Sequence, residues 1–350
     1  MQPKFALHIN DFHPKLRNGI THLWSRFNSQ LNRQIKVFLD LNFWINIREA
    51  YLDNEKGQKY KPLLEYLIDL KSRNLIICPV SGILLEESKK QSIKFHRSIL
   101  GALMGKLGDD YGLILNSFVY AIELEIFANY LRFPDHKIIT PDNYVWRKGI
   151  HRIMDSYIEI PGNTTAEFNS YIIGCNASTS SLLERPFDSD LIINTAFSVA
   201  EKLNHEKPQY SLDYKNFSEL RLIEFLGVFR FVIDNFPQFS SYTNFPKKDT
   251  FLNHDDLFYQ FFPASYIYSS IMAVYRHHGG RKYKPNDLYD AEHAAVGIGY
   301  NDLYITERGI FSAIKNELKS LNVHFNCEIA NNADDAINIL QKMVNDRFPE

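Results

Sequence analysis

Two short apolar runs near opposite ends of the chain lead straight into acids: Ile35-Lys-Val-Phe-Leu-Asp40, and Asn301-Asp-Leu-Tyr-Ile-Thr306 with Glu307 beyond its tip. Both are strand-length, and both sit among segments with helical spacing. After the first, Leu41–Ile47 leads towards a helix, residues 60–71 read as an amphipathic helix, and Asn74–Pro79 is a second short strand. Val80–Ser88 continues as a helix begun by Pro79. At the far end, residues 288–298 are predicted helical, as are Phe311–Leu318 and Ala333–Met343, and Leu321–Phe325 is predicted as a final strand. Strand–helix alternation at this spacing is the signature of parallel α/β units. The predicted fold class is therefore α/β, a parallel sheet flanked by helices, with the chain's two ends sharing one domain.

The middle has a different texture. Segments 112–130, 189–203, 217–236 and 264–275 carry helical spacing, broken by turns such as Phe133-Pro-Asp and Ile160-Pro-Gly. The expected organisation is an N-terminal helical extension over 1–34, with a leading helix in 14–34. A discontinuous α/β domain over 35–90 and 285–350 follows, divided by a large, mostly helical insertion over 91–284. At 350 residues the chain has ample material for two cores at roughly 150 residues per domain.

In an open parallel sheet the carboxyl ends of the strands define the ligand crevice. Four elements bring acids there: Asp40, Glu86 or Glu87, Asp290 and Glu307. Carboxylates gathered in one place repel one another unless a cation or bound protons offset the charge, and hard divalent ions prefer such oxygen ligands. Asp40 leads because it closes an apolar strand; its alternative is a helix cap. Of the adjacent pair, which point differently, Glu86 is preferred over Glu87. Asp287, Asp290 and His293 lie near one helix face, with Asp287 equally suited to capping after Pro285. Asn42, Thr306 and His293 are suited to accessory contacts with a carboxylate, a water or a phosphate, though plain packing is the more usual role for a lone histidine such as His293 beside Ala294 and Ala295. Arg276, Arg281, Lys282 and Lys284 flank glycines just before the Asp290 helix, as a phosphate-backbone contact or a solvated linker.

At these residues the chain resembles the PIN-domain (PilT N-terminus) ribonuclease-like superfamily. The matching segments are Val37-Phe-Leu-Asp40-Leu-Asn-Phe-Trp, Cys78-Pro-Val-Ser-Gly-Ile-Leu-Leu-Glu86, Asn286-Asp-Leu-Tyr-Asp290-Ala-Glu-His293 and Tyr300-Asn-Asp-Leu-Tyr-Ile-Thr-Glu307. The resemblance implies a PIN-like sheet and a Mg²⁺- or Mn²⁺-dependent endonucleolytic cut in RNA. It also implies Asp40, Glu86 and Asp290 as catalytic metal ligands, with Glu307 as a fourth. Family members commonly have Thr-Asp where this chain has Thr306-Glu307, and the match covers about 110 residues. A toxin or RNA-processing role fits such a nuclease. The alternative is an inactive scaffold binding RNA or, through the insertion, a protein; DNA is not excluded as substrate.

Other phosphate chemistries fit less well. Asp40-Leu-Asn42 lacks the Asp-x-Asp of haloacid-dehalogenase phosphatases, and Gly101–Leu107 departs from a phosphate loop in both spacing and its last residue. A net charge of −2 excludes a global cationic field but permits a local basic patch. Cys78, Cys175 and Cys327 suggest buried reduced thiols. The polar start and the lack of any apolar stretch near 18 residues predict a cytoplasmic protein with no membrane association.

Overall fold

The computed structural model describes residues 31–132, 140–148, 198–206, 216–235, 259–277, 281–318 and 320–349. It is a mixed α/β structure whose main sheet has four strands, all parallel. Strand β1 (Ile35–Leu39) is central; β2 (Ile76–Ile77) pairs on one side, and β6 (Leu303–Ile305) followed by β7 (Glu328–Ala330) on the other. The register sets Leu39 opposite Ile305, so Asp40 emerges beside Thr306, one residue before Glu307.

Both faces of this sheet are buried, as expected when helices cover a parallel sheet. Side chains alternate across it. Ile35, Val37, Leu39, Leu303 and Ile305 point into one core, while Phe38, Ile77, Tyr304 and Ile329 point into the other. The first core is filled by α1 (Leu41–Tyr51), α2 (Lys61–Ser72), α3 (Gly82–Ser88), α4 (Lys94–Gly108) and α12 (Ala333–Arg347). The second is filled by α5 (Asn116–Arg132), α7 (Phe217–Asn235), α8 (Pro263–His277) and α9 (Pro285–Tyr300). Helices of the middle region thus share their core with the sheet itself.

Helix α9 lies unusually close to the sheet. A Cβ on Gly297 would stand 2.7 Å from the Tyr304 ring and 3.1 Å from Phe38. Glycine at this position lets the helix axis approach β1 and β6. That approach sets how far side chains earlier in α9 reach over the sheet edge.

Several expectations are corrected. Val80–Ser81 is a strand, β3, and α3 begins only at Gly82, where the Ser81 side chain accepts a hydrogen bond from the Leu84 amide at 3.2 Å. Strand β3 pairs in parallel with β4 (Tyr111–Leu113), which pairs antiparallel with β5 (Trp146–Lys148), downstream of the short α6 (Asp142–Val145). The middle region therefore contributes a small second sheet as well as helices. Leu321–Phe325 falls within a helix, α11 (Ser320–Phe325), which follows α10 (Arg308–Glu317). Its apolar residues four apart suit a helix face, and Leu321 and Phe325 both pack into the second core. A left-handed turn at Asn326 (φ 49°) then starts β7 two residues later.

Almost all of 14–34, the start of 189–203 and Cys175 lie outside the described residues. Cys78 and Cys327 are buried free thiols. Among the described residues no helix is long and apolar enough to cross a membrane.

Candidate functional site

The carboxyl edge of the main sheet is where β1 and β6 release Asp40 and Thr306. The Asp40 amide bonds to the Ile305 carbonyl at 3.0 Å and the Thr306 amide to the Ala330 carbonyl at 3.0 Å. The two residues are thus held in register beyond their strands. Thr306 donates its hydroxyl to Asp40 Oδ2 at 2.9 Å, and Asp40 Oδ1 caps α1 by accepting from the Asn42 amide at 3.3 Å. Asp40 is therefore both cap and cluster member; each of its oxygens is engaged, and the group is 4% exposed.

Helix α9 lays His293 over this pair. Its Nδ1 is 3.8 Å from Asp40 Oδ1, and its Nε2 is 3.5 Å from Glu87 Oε2 on α3. Both ring nitrogens are buried without a hydrogen-bond partner, because these approaches are ionic contacts rather than formed bonds. Asp290, one turn earlier, is half-buried, as is Glu87, while Glu307 and Asn42 are exposed. Burial thus grades from a closed floor at Asp40 and His293 to an open acidic rim.

The electrostatics follow this gradient. Burial works to raise the Asp40 acid, but His293, the Thr306 hydroxyl and the Asn42 amide outweigh it and hold the group below its ordinary value. Burial works against a charged His293 ring, yet Asp40 and Glu87, with Asp290, outweigh it and shift the imidazole up. Asp290 is pushed up to about 7, first by burial and then by the Asp40 charge, with Glu87 and Glu307 adding and His293 opposing. Burial also raises Glu87 and Glu307, and Asp40 adds its repulsion to both. The site holds more negative charge than His293 alone offsets.

Asp40, Glu87, Asp290, His293, Thr306 and Glu307 are brought together, with Asn42 at the rim. Glu86, the residue preferred from sequence, makes no contact with His293 like that of Glu87. It is buried near Lys89, and its charge acts on Tyr289 and Glu292. Asp287 is a cap: it accepts the Lys284 amide at 2.9 Å and pairs with Arg281 at 2.7 Å. Arg281 also stacks over Tyr275 at 3.8 Å. Arg276 is buried in a salt bridge with Glu224, joining α8 to α7, so it serves packing. Lys282 and Lys284 are exposed.

Two lysines at the site were missed from sequence. Lys90 lies 3.4 Å from the Tyr289 ring centroid and interacts with both Glu87 and Glu86. Lys89 is buried beside Glu86, and burial pushes it down to about 8. The available signal was their position directly after the Glu86-Glu87-Ser88 end of α3, which places basic groups next to those acids.

The donor set has the chemistry of a hard-cation site, since every acid in it offers oxygen. Among the described residues, however, no group of three or more His, Cys, Asp or Glu side chains is gathered tightly enough to hold an ion as it stands. Comparison with protein-family models, characterised proteins and solved structures returned no match.

Proposed function

We propose that this chain is a metal-dependent endoribonuclease that hydrolyses RNA phosphodiester bonds with Mg²⁺ or Mn²⁺. The observation that carries the reading is the convergence of Asp40, Glu87, Asp290 and Glu307 from four elements onto one open sheet edge, with Asp290 raised by burial and then by its acidic neighbours. Isolated structural acids do not accumulate this way, because burying like charges together is costly unless a cation offsets them. RNA as the substrate comes from the PIN-like resemblance, and the proposal carries both that family and the reading of the middle region as its insertion.

In this account Asp40 and Asp290, with Glu87 and Glu307, hold the ion. When bound, such an ion supplies an activated water and offsets charge developing on the phosphoryl oxygens. The chain's own groups prepare that chemistry. Thr306 fixes one Asp40 oxygen, and His293 keeps Asp40 ionised from the other side. The exposed rim at Glu307 and Asn42 leaves the edge open to a polymer, and Lys90 contributes positive charge beside Glu87.

Purified protein is incubated with mixed single-stranded RNA in Mg²⁺ or Mn²⁺, beside an Asp40→Asn preparation and matched DNA strands. The expected result is metal-dependent RNA cleavage that the Asp40→Asn protein lacks; equal cleavage by both preparations contradicts the proposal. One observation favours a second reading, a non-catalytic scaffold: His293 already stands between Asp40 and Glu87 as a counter-charge. That reading expects RNA binding without turnover, and the same assay separates the two.

A further inference from the structure

The loop leaving α3 and the first turn of α4 together carry an exposed ledge that the acidic cluster does not explain. Residues Ser92, Ile93, Lys94 and Phe95 are exposed in succession, with Ile93 at 53% and Phe95 at 58%. Two buried arginines pin the loop from beneath. Arg48 of α1 donates to the Gln91 side chain, and Arg97 of α4 donates to the Gln91 carbonyl and, at 3.2 Å, to the Ser92 carbonyl. The loop is thereby fastened from beneath up to Ser92, with Ile93 standing outward at the N-cap of α4 and Phe95 in its first turn. At its other end the same loop begins at Lys90, which lies over Tyr289 and interacts with Glu87 of the cluster.

Two lysines and one exposed aromatic ring thus follow one another along a stretch that starts at the acids. Lys90 and Lys94 match the charge of a phosphate backbone, and Phe95 offers an open ring face. Single-stranded nucleic acid is the occupant this combination suits: its unpaired bases stack on aromatic rings without sequence preference, while lysines follow its phosphates. Duplex ends keep their bases stacked on each other and gain little from a lone ring.

We infer that the Lys90–Phe95 ledge binds single-stranded nucleic acid next to the acidic cluster, with a base stacked on Phe95 and phosphates beside Lys90 and Lys94. The inference rests on the nuclease reading for its choice of polymer and narrows that reading to unpaired strands.

The test is equilibrium binding by fluorescence anisotropy, using labelled RNA of about 12 nucleotides, DNA of the same sequence, and the blunt duplex. It is run in EDTA with full-length Asp290→Asn protein, so that no strand is cut. Adding Phe95→Ala should weaken single-strand binding about tenfold, Phe95→Trp should retain it, and Lys94→Gln should reduce its salt dependence. Equal effects on RNA and DNA support the inference too, because stacking does not read the sugar. Unchanged binding by Phe95→Ala, or equal weakening by Phe95→Ala and Phe95→Trp, overturns it. Failure to bind any strand also overturns it and leaves Ile93 and Phe95 as a protein contact. Phe95-dependent binding without Mn²⁺-dependent cleavage by the unsubstituted protein removes the nuclease reading and keeps the ledge. Cleavage with unaltered Phe95→Ala binding does the reverse.

Discussion

Asp290 sets the site against the stability of the fold. Its acid rises from 3.8 to about 7, so at neutral pH and above its charge is a cost to the folded state. At about 1.4 kcal/mol per unit, that cost is on the order of 2 to 4 kcal/mol. Asp290→Asn should therefore raise the melting temperature in EDTA at about pH 8 while abolishing metal-dependent cleavage; calorimetry and the RNA assay read the two effects separately. The pH dependence has a definite sign. An acid raised on folding binds more protons folded than unfolded between its two values, so its contribution falls as pH rises from about 4 through 7. His293, also raised, loses its contribution in the same direction as pH passes its folded value, whereas lowered Asp40 loses its own only in acid. Buried Glu123, likewise pushed up to about 7, adds a part unrelated to the site. Melting in EDTA should thus drop between about pH 4 and 7, and Mn²⁺ should shrink the drop in the unsubstituted protein but not in Asp290→Asn. An identical Mn²⁺ effect in both would remove Asp290 from the ion.

At the scale of elements, α9 is the part on which the site depends most, and Gly297 is what seats it. Gly297→Val would drive a side chain into Tyr304 and Phe38, costing roughly 1 to 3 kcal/mol and lifting Asp290 and His293 off the sheet edge. Denaturant unfolding should report the loss, with cleavage falling further than stability alone accounts for; unchanged activity would show that the seating of α9 is unimportant. The same scale explains what sequence made legible. The runs at 35–40 and 301–306 were readable because a parallel strand buried on both faces is simply apolar, and α9 because its apolar residues recur at helical spacing. The choice between Glu86 and Glu87 was not readable. Neighbours on a helix point about 100° apart, and the turn that decides between them depends on the Val80–Ser81 strand and the Ser81 cap. Strands of two or three residues, such as β3, β4 and β5, are too short to show alternation. Leu321–Phe325 reads as a strand from its short apolar run, but it is helical, and Glu328–Ala330 is the stretch that pairs with β6.

For the whole molecule, the middle region and the sheet are one folding problem. Helix α4 supplies Leu100, Leu103, Met104 and Leu107 to one face of the sheet, while α5, α7 and α8 share the core containing Phe38, Ile77 and Tyr304. Replacing residues 91–284 with a short linker would bare both faces, so the shortened chain should lack a cooperative thermal transition. A sharp calorimetric peak from it would show that the two ends fold alone. The acids near residues 40, 87, 290 and 307 therefore meet only when this whole core forms. The most direct test of the account is anomalous scattering from crystals soaked in Mn²⁺. The account expects a peak between Asp40 and Asp290, within reach of Glu87 and Glu307 directly or through the ion's waters; a Mn²⁺-saturated crystal with no peak there would contradict it.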